Sequence, residues 1–120
     1  MSGGTAGGAG PALLRRLQEE TDAWIREQGA VYWEPLELLA RLSEEVGELA
    51  RELNHLYGPK RKRSDEPEGS VAGELGDILY VVACIANRLE IDLDRAWRET
   101  LEKYRRRDRE RWSSPFSAGS

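Results

Sequence analysis

Two short acidic clusters carry the chemistry this chain has to offer. One reads Glu44-Glu45-Val46-Gly47-Glu48 and the other Glu74-Leu75-Gly76-Asp77. In a helix Glu74 and Asp77 share a side with Ile78, Val81 and Ile85. Carboxylates in line with an apolar face are rare unless they are paired or bind metal. The alternative is that both sit in the first two turns, where the helix dipole favours acids and water still reaches. Glu45 and Glu48 are neighbours at i, i+3, and Glu45 borders a leucine stripe. Glu44 and Glu48 lie further round, among Glu37, Arg41 and Arg51, which also describes a solvated face. The two clusters together say more than either alone. On adjacent antiparallel helices, about 8–10 Å apart, their acids meet and repel. Either their pKa values rise or cations fill the gap. Magnesium suits such a group, being hard, oxygen-seeking and inclined to keep waters that a phosphate can replace. Gly47 and Gly76 each cost about 1 kcal/mol of helix propensity, which points to close approach by a neighbour.

The elements that must position these acids are helices. Pro11 is placed to open the first helix, which carries Leu13, Leu14, Leu17, Trp24 and Ile25 and stops at Gly29. Pro35 opens the second. Its Leu39, Leu42, Val46, Leu49, Leu53 and Leu56 recur in steps of three and four, a stripe that packs on another helix. Ala40, Ser43, Gly47 and Ala50 form a small-residue face beside it. Gly58-Pro59 ends this helix, and a polar loop follows from Lys60 to Gly69. Ser70 caps the third helix, Val71 to about Leu89. It is apolar on every side from Ile78 to Ala86, and so is central. Asp92 or Asp94 starts the fourth, which runs to about Trp112. The expected fold is an all-α, antiparallel four-helix bundle. Residues 1–10 read as a disordered Gly-rich segment, 11–112 as one domain and 113–120 as a flexible tail.

The bulk properties narrow the function classes. A length of 120 residues fits one domain. The net charge of −4 argues against nucleic acid as the partner, although Lys103 to Arg111 is basic. The longest apolar run, Ile78 to Ala86, is about half of the ~20 residues a membrane span needs. A single cysteine, Cys84, allows no intrachain disulfide and reads as a core residue. With no leader pattern at the N-terminus, the expected location is the cytoplasm.

The sequences EEVGELA and ELGDILY closely resemble the motifs of the MazG-type nucleotide pyrophosphohydrolases, whose pattern is EExxE, a gap, then ExxD. The resemblance covers about residues 33–112 and is nearest to the short single-domain bacterial members. It extends to Leu53-Asn54-His55, Tyr57-Gly58, Ala86-Asn87 and the ending Lys103-Tyr104, Arg107-Asp108 and Arg111-Trp112. It implies Mg2+-dependent hydrolysis of nucleoside triphosphates, with Mn2+ as a substitute, giving monophosphate and pyrophosphate and cleansing nucleotide pools. It further implies that Glu45, Glu48, Glu74 and Asp77 hold the metal, and that Glu44 is a further ligand or the catalytic base. Lys103 and Arg107 match phosphate-contacting positions and Asn87 a polar position facing the site. Trp33 is a candidate for stacking on the base, or a packing residue before the second helix. The family implies a homodimer or homotetramer with active sites near the interface. Two other readings stay open: phosphoribosyl-ATP pyrophosphohydrolase, which shares the motif style, and a non-catalytic helical interaction module. The Lys60–Arg63 run is either a phosphate-touching loop or a solvated one.

Overall fold

The computed structural model describes residues 11–59 and 69–113. The segments 1–10 and 114–120, and the run at 60–63, lie outside the described residues. Four helices account for nearly all of the rest: α1 (Leu13–Glu27), α2 (Pro35–Tyr57), α3 (Val71–Arg88) and α4 (Leu93–Ser113). The chain is an all-α bundle, as expected, with no strand among the described residues.

The helix ends show why the breaks fall where they do. Gly29 adopts φ +66°, and its N–H and that of Ala30 close on the carbonyls of Arg26 and Ile25 at 2.9 and 3.1 Å. Left-handed backbone of this kind ends a helix cheaply only at glycine. The same turn ends α3, but there the left-handed residue is Glu90, at φ 58°. The Ile91 N–H reaches the Ala86 carbonyl at 2.8 Å. Ser70 Oγ accepts from the Gly73 N–H at 2.7 Å and caps α3 as predicted. At the start of α2 the Glu37 carboxylate accepts from the Glu34 N–H at 2.9 Å.

The start of α1 differs from the expectation. Pro11 does not open it; the helix begins at Leu13, with Ala12 in the capping position. Alanine has no side-chain acceptor, so the cap comes from the other end of the chain. The buried Asp94 carboxylate accepts from the N–H groups of Leu14 and Arg15 at 3.2 and 2.8 Å. A carboxylate at a helix N-terminus satisfies amides that have no partner within the helix and sits favourably against its dipole. Asp92 is left to cap α4, its Oδ1 accepting from the Asp94 N–H at 3.0 Å. Arg15 also donates to Asp92 Oδ2 at 3.0 Å, and holds that carboxyl below its ordinary range.

The central helix is α3, which packs along α2 on one side and α1 on the other. Four of its residues (Val81, Ala83, Cys84 and Ala86) are buried, joined by Leu38 of α2 and Thr21 of α1. α4 packs chiefly on α1. From Glu102 to Trp112 every one of its residues is exposed. The α2 stripe is only part covered: Leu42 and Leu49 are half-buried, whereas Leu39, Val46, Leu53 and Leu56 are exposed. The glycine expectation also fails within this chain, because a Cβ at Gly47 or Gly76 would meet nothing within 4 Å.

Candidate active site

The helical period puts Arg41, Glu45, Glu48 and Glu52 along one side of α2. Residues 38–41 share a cavity with residues 80–84 of α3, and Glu45 meets Glu74 and Asp77. The two helices therefore run antiparallel, and the pairing of α2 with α3 assembles the acids. One carboxylate oxygen each from Glu45, Glu74 and Asp77 lie within 4.8 Å of one another. Glu74 Oε2 is out of solvent and has no hydrogen-bond partner among the described residues. Burial raises the Glu74 carboxyl above its ordinary value, and the charges of Asp77, Glu45, Glu48 and Glu52 push it further.

This donor set fits a hard divalent cation. The ligands are all carboxylate oxygens, one from each residue within 4.8 Å of the others, and Glu74 Oε2 is buried without a donor among the described residues. Soft or nitrogen ligands of the kind zinc prefers are absent from the group. Arg41 answers part of the charge here: its Nε donates to Glu45 Oε2 at 2.7 Å.

Beside the acids lies a cavity of about 180 Å³ whose walls include Trp24, Tyr32, Trp33, Arg41, Tyr80 and Cys84. Trp33, in the segment between α1 and α2, is half exposed, and the Arg41 guanidinium lies 6.0 Å from its ring centre. Tyr32 anchors that segment. Its hydroxyl donates to Asp22 Oδ1 at 2.7 Å and accepts from Asn87 Nδ2 at 2.9 Å. Burial and the bond to Asp22 push the phenol up to about 12. A larger open groove of about 690 Å³ lies between α1 and the α3–α4 turn. None of the clustered acids lines either space, but the smaller cavity is tied to them through Arg41, which lines it and holds Glu45.

The predicted residues do not all fall in one place. Glu45, Glu74 and Asp77 are brought together. Glu48 is exposed and outside that close group, near enough for its charge to act on Glu74. Glu44 is exposed. Asn87 spends its amide inside the fold, where Nδ2 donates to the Gln18 carbonyl at 2.9 Å and to Tyr32 while Oδ1 accepts from Gln18 Nε2 at 3.0 Å. Lys103 and Arg107 lie on the exposed part of α4, flanking Tyr104 at 5.4 and 4.9 Å from its ring centre. Within one chain α4 shares no extended face with α2, so these cations are not brought to the acids. Two contributors were missed in the sequence, Arg41 and Glu52. Both follow from spacing: they stand four residues before and seven after Glu45.

Residues 34–112 match the MazG nucleotide pyrophosphohydrolase domain. The chain belongs to the MazG family. YpjD of Bacillus subtilis (strain 168) is 43% identical to it over 100 residues, covering 83% of this chain and 90% of YpjD. The crystal structure of YpjD superposes with a TM-score of 0.68 at 42% identity, over 76% of this chain and 91% of that one. The Bacillus-conserved MazG protein, a nucleotide pyrophosphohydrolase, gives 0.63 at 44% identity, over 76% and 87%. The four-helix arrangement is thus that of MazG-like proteins, and both MazG acidic motifs fall within the matched residues. No helix among the described residues is long and apolar enough to cross a membrane.

Proposed function

We propose that this MazG-family protein hydrolyses nucleoside triphosphates between the α- and β-phosphates, releasing a monophosphate and pyrophosphate, with Mg2+ as the working metal. The observation that carries this is the carboxylate group of Glu45, Glu74 and Asp77, with a donorless buried oxygen on Glu74, joined through Arg41 to an aromatic cavity. Glu48, one turn on from Glu45, completes the ligand set. A divalent ion held there shields phosphate charge and lowers the pKa of the attacking water. Glu44 accepts the proton of that water, or adds a ligand. Trp33 and its aromatic neighbours take the base, the reading that the cavity beside the acids favours.

Lys103 and Arg107 are exposed on α4, so in this reading they grip phosphates across an interface, from a second copy of the chain. The uncovered leucines of α2 support assembly as a homodimer or homotetramer. Sanitation of nucleotide pools in the cytoplasm is the role this activity implies.

Pyrophosphate release from a panel of canonical, deoxy and damaged triphosphates, with Mg2+ and with EDTA, tests the reading. Metal-dependent monophosphate and pyrophosphate are expected, and the rank order gives the base preference. Release from phosphoribosyl-ATP alone would move the substrate, and release from nothing would leave a helical interaction module. Asp77→Asn and Glu48→Gln are expected to abolish turnover with the helical circular dichroism unchanged. Full activity in either would remove that residue from the site.

A further inference from the structure

Arg41 stands at the join between the acid group and the aromatic cavity. Its Nε holds Glu45 Oε2 at 2.7 Å, its guanidinium lies 6.0 Å from the Trp33 ring centre, and it lines the cavity with Tyr80. Its side chain is only about a third exposed (36%), and that of Glu45 less so (13%). A carboxylate so covered needs a counter-charge, and Arg41 is the cation that supplies it. The same carboxylate belongs to the group that suits a divalent ion. A guanidinium and a dication cannot both sit on Glu45 without repelling each other.

We infer that Arg41 is an exchangeable counter-ion: it neutralises Glu45 when the acid site holds no metal, and turns to the nucleotide when metal is bound. The inference rests on the metal-dependent reading above. Its second half follows from position. With the base in the aromatic cavity and the phosphates at the acids, Arg41 faces the part of the ligand between them, the sugar and the first phosphate. A guanidinium matches a phosphate with two parallel hydrogen bonds. Metal loading thereby frees a phosphate ligand, so metal and nucleotide bind cooperatively.

The test is calorimetric titration of Mn2+, without nucleotide, into the wild type, Arg41→Met and Arg41→Lys. Methionine keeps the apolar stem over Trp33 and removes the charge. Arg41→Met is expected to bind Mn2+ about tenfold more tightly, because the guanidinium no longer competes for Glu45. Arg41→Lys stays within about twofold of wild type. In the wild type, Mg2+ alone changes the tryptophan fluorescence as the guanidinium leaves Trp33, and the change disappears in Trp33→Phe. Equal or weaker Mn2+ affinity in Arg41→Met overturns the inference while the metal reading stands. If that variant does not fold, an unchanged wild-type fluorescence on Mg2+ addition overturns it. Absence of Mn2+ binding in every protein, wild type included, removes the metal reading and this inference with it.

Discussion

Glu74 carries the strain of the site. Its Oε2 is out of solvent without a donor, among four other carboxylates that raise its pKa after burial has done so. Removing that charge, or neutralising it with a cation, should therefore help the fold. Mg2+ is expected to raise the melting temperature of the wild type, and Glu74→Gln to raise it without metal and abolish the further rise; differential scanning fluorimetry with and without Mg2+ reads both. Tyr32 makes a prediction at the other end of the pH scale. Its phenol is pushed up to about 12 from the ordinary 10.0. The native state then keeps a proton that the unfolded chain releases, so this stability is complete below the unfolded pKa and is lost as pH rises through the native one. Urea midpoints are expected to fall between about pH 10 and 12, and less steeply in Tyr32→Phe; an identical slope would deny the phenol its role.

The helices are held at their ends as much as along their faces. Asp94 belongs to α4 yet caps α1, so Asp94→Ala should loosen a helix eighty residues away in sequence. A cost of about 2 kcal/mol is expected from chemical denaturation, with Asp94→Asn between the two. Glu90 occupies a left-handed position that favours glycine, and Glu90→Gly should stabilise by about 1 kcal/mol. The segment joining α1 to α2 bears on function rather than stability. Tyr32 pins it to Asp22 and Asn87, and Trp33 is thereby presented to the cavity. If Trp33 stacks on the base, Trp33→Ala should raise KM about tenfold and leave kcat nearly unchanged. A fall in kcat alone would mean that it acts on the acids instead.

At the scale of the molecule, one chain buries little. Its core is a handful of small side chains on α3, while Leu39, Val46, Leu53 and Leu56 stay exposed on α2, Leu56 at 62%. Soluble monomers seldom show apolar surface gathered in this way. Sedimentation is expected to find no stable monomer at micromolar concentration, and Val46→Lys with Leu53→Glu to dissociate the assembly and lose activity together. A monomer that turns over at the full rate would place the whole active site, Lys103 and Arg107 excepted, within one chain.

Most of the helical plan was legible in the sequence. Breaks at Gly29, Gly58-Pro59 and the α3–α4 turn are local chemistry, as is the Ser70 cap, and the period of the leucines needs no partner to be visible. Both acid motifs were legible too, since i, i+3 spacing puts their carboxylates on one side of a helix. What periodicity cannot give is the rotation of one helix against another. That rotation decides that Glu45, Glu74 and Asp77 meet while Glu44 and Glu48 stay outside their group. It also separates Arg41 from the many arginines that pair with a glutamate four residues on. In sequence it matches Arg95 with Glu99, a solvated pair, and only packing shows that Glu45 is covered and part of a carboxylate group. The Asp94 cap and the commitment of Asn87 to Gln18 and Tyr32 were hidden for the same reason. A side chain's type and spacing state what it is able to do, and the tertiary fold decides what stands opposite it.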